Sequence, residues 1–272
     1  MSKIVIIAGM HRSGTSLTAN WLHNAGISMG DALLEEAYSN IAGHYEDKDF
    51  YHFHKDLLVN GNQNYLICSD DALPKIAGYW DFRARSIVAF KSDLHDQWGW
   101  KDPRTCLFLP YWKSVCPSAL YLIVYRDYRN SVDSLLRRQL DRPRKKIDLM
   151  IRTVAAPALH FKRRKLIEDS ANIYLKTWNF YNQKLIEFLV ENPGIKALCI
   201  EDEDILNNSS RLEEWLAESG FAIRKGVFRE VYRPQIKKSK LKYFREELFP
   251  TSLLEMSEKI FGRLKELQKS AL

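Results

Sequence analysis

The stretch IVIIAGMHRSGTSLTANWLHNAG, residues 4–26, decides the fold. It opens with an apolar, β-branched run that favours a buried parallel strand. It closes with apolar residues at helical spacing, and Gly26 marks the end of that helix. Between them lies GMHRSGTS, residues 9–16. A glycine-rich turn between a strand and a helix aims backbone N–H groups and the positive end of the helix dipole at one point, so the loop predicts an anion site.

This loop differs from the phosphate loop of nucleoside-triphosphate enzymes, which reads G-x-x-x-x-G-K-[ST]. Gly9, Gly14 and Ser16 match that pattern. Thr15 stands where the lysine belongs, and that lysine neutralises the β- and γ-phosphates beside Mg²⁺. Arg12 brings instead a guanidinium suited to phosphate or sulfate oxygens. The loop therefore favours a single phosphate that carries another group over the end of a triphosphate.

Strands and helices alternate along the rest of the chain. Further strands are predicted at WGWKDP (98–103), ALYLIVYR (119–126) and IKALCI (195–200). Helices are predicted in the segments between them, at about 129–140 and 173–190 among others, and from residue 252 to the end. This order predicts an α/β fold in three layers, with a mostly parallel central sheet, helices on both faces and a likeness to P-loop NTPases. No linker or repeat divides residues 1–272, so a single domain is expected.

The chain is basic, with a net charge of +7 from 41 Lys and Arg against 34 Asp and Glu. Between Arg137 and Lys165, eleven Lys and Arg stand against two Asp. This segment predicts a solvated basic face, a rim that attracts an anionic substrate, or a peripheral contact with an acidic membrane. It lacks aromatics at the spacing that stacks single-stranded bases, so no nucleic-acid partner is expected.

The four cysteines form neither a C-x-x-C pair nor a metal-ligand spacing. In a chain of 272 residues this predicts reduced thiols and a cytoplasmic setting. No run approaches the roughly 18 apolar residues of a spanning helix, and the N-terminus does not read as a signal peptide.

A second polar pair follows a predicted strand. Arg126 ends that strand, and Ser134 lies eight residues later in the next helix. Arginines often end strands and a serine inside a helix often bonds its own backbone, so neither residue alone indicates a site. Together with the loop they predict a second phosphate contact, some distance from the first.

These patterns resemble the sulfotransferases that use 3′-phosphoadenosine 5′-phosphosulfate (PAPS). That family has an R-S-G-T-[ST] loop and a strand-ending arginine with a serine eight residues on. Its blocks G-[FYW]-[FYW]-E-D, W-x-W-K-D-P-R, W-x-x-Y-N and Y-E-D-L resemble segments found here in the same order. Those segments are GHYEDKDF (43–50), WGWKDPR (98–104), TWNFYNQKL (177–185) and CIEDEDIL (199–206).

The resemblance, which covers roughly residues 3–220, implies transfer of a sulfuryl group from PAPS to a hydroxyl or amine acceptor, with PAP as the product. It assigns to the 5′-phosphosulfate the loop residues Arg12, Ser13, Gly14, Thr15 and Ser16. It assigns Arg126 and Ser134 to the 3′-phosphate. A single bridging phosphate requires neither the γ-phosphate lysine nor a metal.

Three features depart from the family pattern. Tyr128 stands where the family usually has proline, and Ile200 stands where it has an aromatic residue. No clear R-K-G-x-x-G segment is present to help bind the 3′-phosphate. RKGVF, from Arg224, matches three letters of it, and KKSK, from Lys237, offers a substitute. How the adenosine is held therefore stays open.

Sulfuryl transfer requires in-line attack by the acceptor, stabilisation of charge on the bridging oxygen and a general base. Arg12 is expected to stabilise that charge. The family uses His or Glu as base, and Glu46 in the GHYEDKDF block is the first candidate, although an acid there also suits a helix N-terminus. Lys101 and Arg104 are expected to face the site or to pack the sheet edge. The reserve bases are Glu35, Glu36 and His44.

Two other functions remain open. A P-loop kinase or NTPase would use Asp102 as its Mg²⁺ ligand but would lack the usual lysine. A non-catalytic relative would act through the basic segment at an anionic or membrane surface. For the enzyme, the acceptor is expected to be a small molecule, carbohydrate or lipid, bound near the aromatics Tyr51, Phe53, Trp80 and Trp112.

Overall fold

A computed structural model describes residues 2–34, 45–140, 156–232 and 240–271. Its four strands are β1 (Lys3–Ala8), β2 (Gln97–Lys101), β3 (Leu120–Tyr125) and β4 (Ala197–Glu201). Within these residues the strands form one sheet in the order β2-β1-β3-β4, and every neighbouring pair is parallel. The α/β class and the parallel sheet predicted from the sequence are confirmed.

The strand register brings the carboxyl ends of all four strands to the same edge. Ile7 pairs with Lys101 and Ala8 pairs with Ile123. Tyr125 pairs with Glu201. Since each strand ends at this edge, the segments that follow β1, β2, β3 and β4 lie side by side there, where open parallel sheets bind ligands.

Nine helices connect and cover the strands in the described part of the chain, besides short 3₁₀ turns. They are α1 (Thr15–Asn24), α2 (Lys48–Asn60), α3 (Tyr79–Leu94), α4 (Leu109–Val115), α5 (Tyr128–Leu140), α6 (Ala156–Glu191), α7 (Ser209–Glu218), α8 (Val227–Val231) and α9 (Thr251–Ala271). Within these residues, no helix is both long enough and apolar enough to cross a bilayer.

The sheet separates two apolar cores. On one face, Val5 and Ile7 pack with residues of α1, α7 and α8, including Trp21 and Phe228. On the other face, Ile6 and the remaining inward side chains pack with α2 to α6 and α9. Side chains of a strand alternate between the two faces, so the central residues of every strand are buried on both sides, and β1 and β3 are almost wholly apolar. This is the three-layer arrangement predicted from the sequence.

One predicted boundary was wrong by more than a turn. Helix α6 begins at Ala156, whereas the apolar spacing predicts a start near residue 173. The added residues are mostly charged or helix-favouring, and Pro157 falls in the first turn, where proline is tolerated. Apolar periodicity missed these turns because a helix can continue on the intrinsic preference of its residues without an apolar repeat.

Candidate functional site

The loop between β1 and α1 follows a backbone path that requires glycine at two positions. A Cβ on Gly9 would lie 2.2 Å from the carbonyl oxygen of Val124 in β3. Gly14 has φ of +86°, and a Cβ there would lie 2.9 Å from the Cβ of Asp202. Arg12 also has a positive φ, 72°. The loop is thus pressed against the ends of β3 and β4, and α1 begins directly after it with its first amides directed at the same edge.

Arg12 connects the two predicted phosphate contacts. Its Nε donates to the Ser134 Oγ at 2.8 Å, and its carbonyl oxygen accepts from the Arg126 Nη1 at 3.3 Å. The indole Nε1 of Trp178 in turn donates to the Arg126 carbonyl oxygen at 3.1 Å. Arg12 thus contacts both residues of the second predicted phosphate contact, Ser134 through its side chain and Arg126 through its backbone carbonyl. Arg12 and Arg126 together form one basic surface at this edge of the sheet.

Three guanidinium groups share this surface. Burial, followed by the positive charges of Arg138 and Arg126, lowers the pKa of Arg12 from 12.5 to about 10, so the group stays protonated at neutral pH. Like charges held together in partly buried positions favour a bound anion. We did not single out Arg138 from the sequence. Its spacing of four residues from Ser134, on one face of α5, is the signal that could have identified it.

Three buried polar atoms at the loop make no hydrogen bond within the described residues. They are the His11 Nε2, the Ser13 Oγ and the Arg126 Nε. A buried polar atom without a partner costs about 1–3 kcal/mol, so such atoms are rare and usually have a functional reason. The Ser13 hydroxyl and the Arg126 N–H are both groups able to donate hydrogen bonds to anionic oxygens. The residues present therefore fit a phosphate or phosphosulfate group at this loop.

His11 is the second residue that the sequence did not single out as functional. Burial lowers its pKa well below 6.5, and the charges of Arg104 and Lys101 lower it further. The imidazole is therefore neutral, and it packs edge-on against the Tyr65 ring with centroids 4.9 Å apart. Its position within the loop was the sequence feature that could have identified it, but a single histidine in a turn does not by itself indicate a functional role.

Lys101 brings an ammonium group to the loop from the neighbouring strand. Its Nζ lies 3.1 Å from the Ser16 Oγ and 2.7 Å from the Glu46 Oε1. Lys101 and Glu46 are both buried, with 1% and 8% of their surfaces exposed. The loop has no lysine at position 15, but the Lys101 ammonium group, from the end of β2, lies beside it. The predicted Glu46, Lys101 and Ser16 do lie together.

The alternative for Glu46 was an acid that simply suits a helix N-terminus; Glu46 lies two residues before α2, and its carboxylate pairs with Lys101. Helix α2 begins at Lys48, and its cap is Asp47, whose carboxylate accepts from the Asp49 N–H at 2.8 Å. The Lys91 ammonium of α3 lies 2.8 Å from Asp47 and 2.9 Å from Asp49. This network fixes the segment before α2, so the Glu46 carboxylate turns toward Lys101 instead.

Asp102 and Arg104 belong to the interior. The Asp102 carboxylate accepts from the Arg104 N–H at 2.7 Å and from its Nη1 at 2.6 Å, and Asp102 is fully buried. Burial raises the pKa of the Asp102 carboxyl, while Arg104 lowers it. The guanidinium of Arg104 also lies over the Tyr51 ring. The Arg104 guanidinium packs at the sheet edge, where its charge also reaches His11 of the loop, and it engages both oxygens of Asp102.

The partial match to the family's R-K-G segment lies at the wrong edge of the sheet. The Arg224 N–H donates to the Ala25 carbonyl oxygen, beyond the far end of α1 from the loop. Ala222 donates to the side chain of Gln97, the first residue of β2. Arg224 is therefore on the amino side of the strands and does not contribute to the site.

Several predicted residues lie outside the described part of the chain. They include the reserve bases Glu35, Glu36 and His44, the KKSK residues 237–239 and most of the basic segment 137–165. In the described residues no group of His, Cys, Asp and Glu is arranged to hold a metal ion. All four cysteines are unpaired, and three of them are buried.

Of the aromatics expected near an acceptor, Phe53 and Trp112 are fully buried in the core. A different aromatic surface is exposed on α3. Tyr79, Phe82 and Phe90 of α3 are 66%, 71% and 58% exposed and line a shallow cavity of about 460 Å³. Asp49, three residues after Glu46, forms part of its wall.

The chain shares its fold with a solved structure of known class, the "Sulfotransferase Domain from the Curacin Biosynthetic Pathway". The two superpose with a TM-score of 0.53 and 11% sequence identity, over 97% of this chain and 98% of the other. No family model matches the sequence, and no curated protein matches it. The fold is therefore sulfotransferase-like, and the relationship is distant.

Proposed function

We propose that this protein is a sulfotransferase that moves the sulfuryl group of PAPS to a hydroxyl or amine acceptor. The observation that carries the proposal is the anion site at the loop. There the Ser13 hydroxyl and the Arg126 Nε–H are buried without a hydrogen bond to the described residues, beside the guanidinium groups of Arg12 and Arg138. The sulfotransferase-like fold supports the same reaction class.

PAPS supplies an activated sulfuryl group on its 5′-phosphate and leaves as PAP. The loop residues Ser13 to Ser16 hold the 5′-phosphate through hydroxyl and amide donors. Arg126 and Ser134 hold the 3′-phosphate. Arg12, which already reaches Ser134, contacts both phosphates and stabilises charge on the bridging oxygen.

Lys101 and Glu46 act as a pair. In the structure, the Lys101 ammonium group contacts both Ser16 and Glu46. A carboxylate held by an ammonium group is a weak base, because the pair stabilises its charged form. A sulfuryl group near Ser16 draws Lys101 toward its oxygens, which leaves Glu46 able to accept the acceptor's proton.

One structural observation favours the competing kinase or NTPase function: a lysine, Lys101, lies beside the loop. A second observation speaks against that function, because both oxygens of the expected Mg²⁺ ligand, Asp102, accept hydrogen bonds from Arg104. Thermal unfolding with PAP, AMP and ATP–Mg²⁺ separates the two functions. PAP should stabilise the protein most, by about 2.7 kcal/mol at one hundred times its Kd. Greater stabilisation by ATP–Mg²⁺ would exclude the sulfotransferase.

A screen with sulfur-labelled PAPS against sugars, lipids and small phenols then tests transfer itself. We propose a carbohydrate or lipid acceptor, and the exposed rings of Tyr79, Phe82 and Phe90 support one with an apolar face. Binding of PAP with no labelled product from any acceptor class would favour the non-catalytic relative.

A further inference from the structure

A carboxylate occupies the centre of the basic surface. The Asp202 Oδ2 lies 3.4 Å from the Arg126 Nε, and the side chains are 9% and 14% exposed. The Asp202 N–H donates to the Tyr125 carbonyl oxygen at 2.8 Å, which fixes its backbone to the end of β3. The Cβ of Asp202 also packs against Gly14 of the loop. Asp202 thus touches both predicted phosphate contacts.

We propose that Asp202 is an internal counter-ion that competes with phosphate for Arg126 and so sets how tightly the site holds its nucleotide. The site and its anion are those of the proposed function, on which this inference rests for the identity of the ligand. Asp202 is the first of the two aspartates in the CIEDEDIL block, and the sequence pattern alone assigned it no role.

The geometry of the pair indicates a partner that can be exchanged. In the described part of the chain, the Arg126 Nε makes no hydrogen bond, so the contact with Asp202 is one of charge without good alignment. Arg126 therefore keeps its best donor geometry for another group. Phosphate oxygens form stronger, bidentate contacts with a guanidinium than this one.

Repulsion between Asp202 and the ligand also weakens binding. A phosphate bound at Arg126 or beside Gly14 would lie close to the Asp202 carboxylate, and like charges at short range in a partly buried site repel. Asp202 therefore weakens binding twice, by occupying Arg126 and by repelling the ligand. Such a residue keeps the arginine in place between turnovers and shortens the residence of a doubly phosphorylated product.

The test is the affinity of PAP for the wild-type protein and for Asp202→Asn, measured by titration calorimetry. The amide keeps the size of the carboxylate and removes its charge. PAP should bind roughly tenfold more tightly to Asp202→Asn, and the gain for AMP, which lacks the 3′-phosphate, should be smaller. Glu203→Gln is the matched control, since Glu203 is the exposed acid next in the chain. It should change neither affinity by more than about twofold.

The double variant Arg126→Ala/Asp202→Asn shows whether the effect passes through the arginine. In the Arg126→Ala background, the Asp202→Asn substitution should increase the affinity for PAP no more than it increases the affinity for AMP. Unchanged or weaker PAP binding in Asp202→Asn would overturn the proposal and show that Asp202 positions Arg126 for the nucleotide. If Asp202→Asn does not fold, Asp202→Ser removes the same charge.

Inorganic pyrophosphate is the second probe, because it tests the anion site without assuming the nucleotide. If the protein did not bind PAP but Asp202→Asn bound pyrophosphate more tightly than wild type, the proposed function would be wrong and the proposed role of Asp202 would still hold. Equal pyrophosphate affinity in the two proteins would overturn the counter-ion.

Discussion

The charged groups at the ends of β2 and β3 are arranged in opposite ways. After β2, Lys101 is paired with Glu46, and Asp102 is paired with Arg104, all by short contacts in the interior. After β3, Arg126 meets the Asp202 carboxylate at 3.4 Å, and its Nε makes no hydrogen bond to the described residues. The charges after β2 are thus matched by short contacts, whereas the charge of Arg126 after β3 is matched by a longer one.

The difference shows which charges build the site and which bind the ligand. A buried ion pair needs its partner, since removing one member leaves an uncompensated charge. A guanidinium with unused donors gains from an added anion. We therefore expect substitutions at the end of β2 to cost stability first, and substitutions at the end of β3 to cost affinity. The predictions below test that division.

The largest effect is expected from Lys101→Met, which leaves the Glu46 carboxylate buried without its ammonium partner. The free energy of unfolding should fall by about 3–5 kcal/mol, measured by urea denaturation. Lys101→Met/Glu46→Gln should recover much of the loss, because no lone charge remains. The exposed Lys259→Met is the control and should stay within about 0.5 kcal/mol of wild type. A loss below about 1 kcal/mol for Lys101→Met would mean that the pair is not a structural element.

Glu46→Gln separates the catalytic role of this pair from its structural role. If Glu46 is the base, the rate of sulfuryl transfer from PAPS should fall at least about 100-fold, while the Kd for PAP stays within about twofold. Glu255→Gln, an exposed acid of α9, is the control and should keep a rate close to wild type. A near-normal rate in Glu46→Gln would remove Glu46 from the mechanism and leave the reserve bases and His11 to be tested.

At the end of β3, Arg126→Ala should weaken PAP by about 10- to 30-fold, because a charge-assisted contact contributes about 1.5–2 kcal/mol. Adenosine 5′-phosphosulfate, which lacks the 3′-phosphate, should lose much less. Arg129→Ala is the control. Arg129 lies one turn further along but pairs with Asp127 and Glu258, away from the loop. Equal losses for the two nucleotides would place the 3′-phosphate elsewhere.

The sequence predicted the elements of the fold and the strand ends that form the site. Apolar runs such as residues 120–125 are buried on both faces, so composition and length suffice to identify them as strands. The loop is identified by its glycines, because no other residue can follow the backbone past Val124. These are local properties, and a sequence records them directly.

Contacts between distant segments could not be predicted in the same way. Nothing in the chain indicates that the Lys101 ammonium lies beside Ser16, or that Asp202 meets Arg126, since these pairs are separated by 85 and 76 positions. The resemblance to a family placed the individual residues at the site and left their partners open. It also offered Arg224, which the tertiary structure places at the opposite edge.

The smallest expected effect concerns the end of β4, where Glu201 tests whether a strand-end charge contributes to stability or is left unmatched. Burial raises the pKa of the Glu201 carboxyl from 4.5 to about 7; Asp204 adds to this shift and Lys265 opposes it. The folded protein therefore binds this proton more tightly than the unfolded chain does. The resulting stabilisation is complete below about pH 4.5 and is lost as the pH rises through about 7.

Glu201→Gln keeps the side chain neutral at every pH. The variant should match wild type at pH 5 and exceed its unfolding free energy by about 1 kcal/mol at pH 8, measured by urea denaturation at both pH values. Glu214→Gln, an exposed acid of α7, is the control and should show no such difference. If Glu201→Gln instead lost stability at pH 8, the ionised carboxylate would be held by Lys265, 3.9 Å away. The end of β4 would then resemble the matched charges after β2 and not the open site after β3.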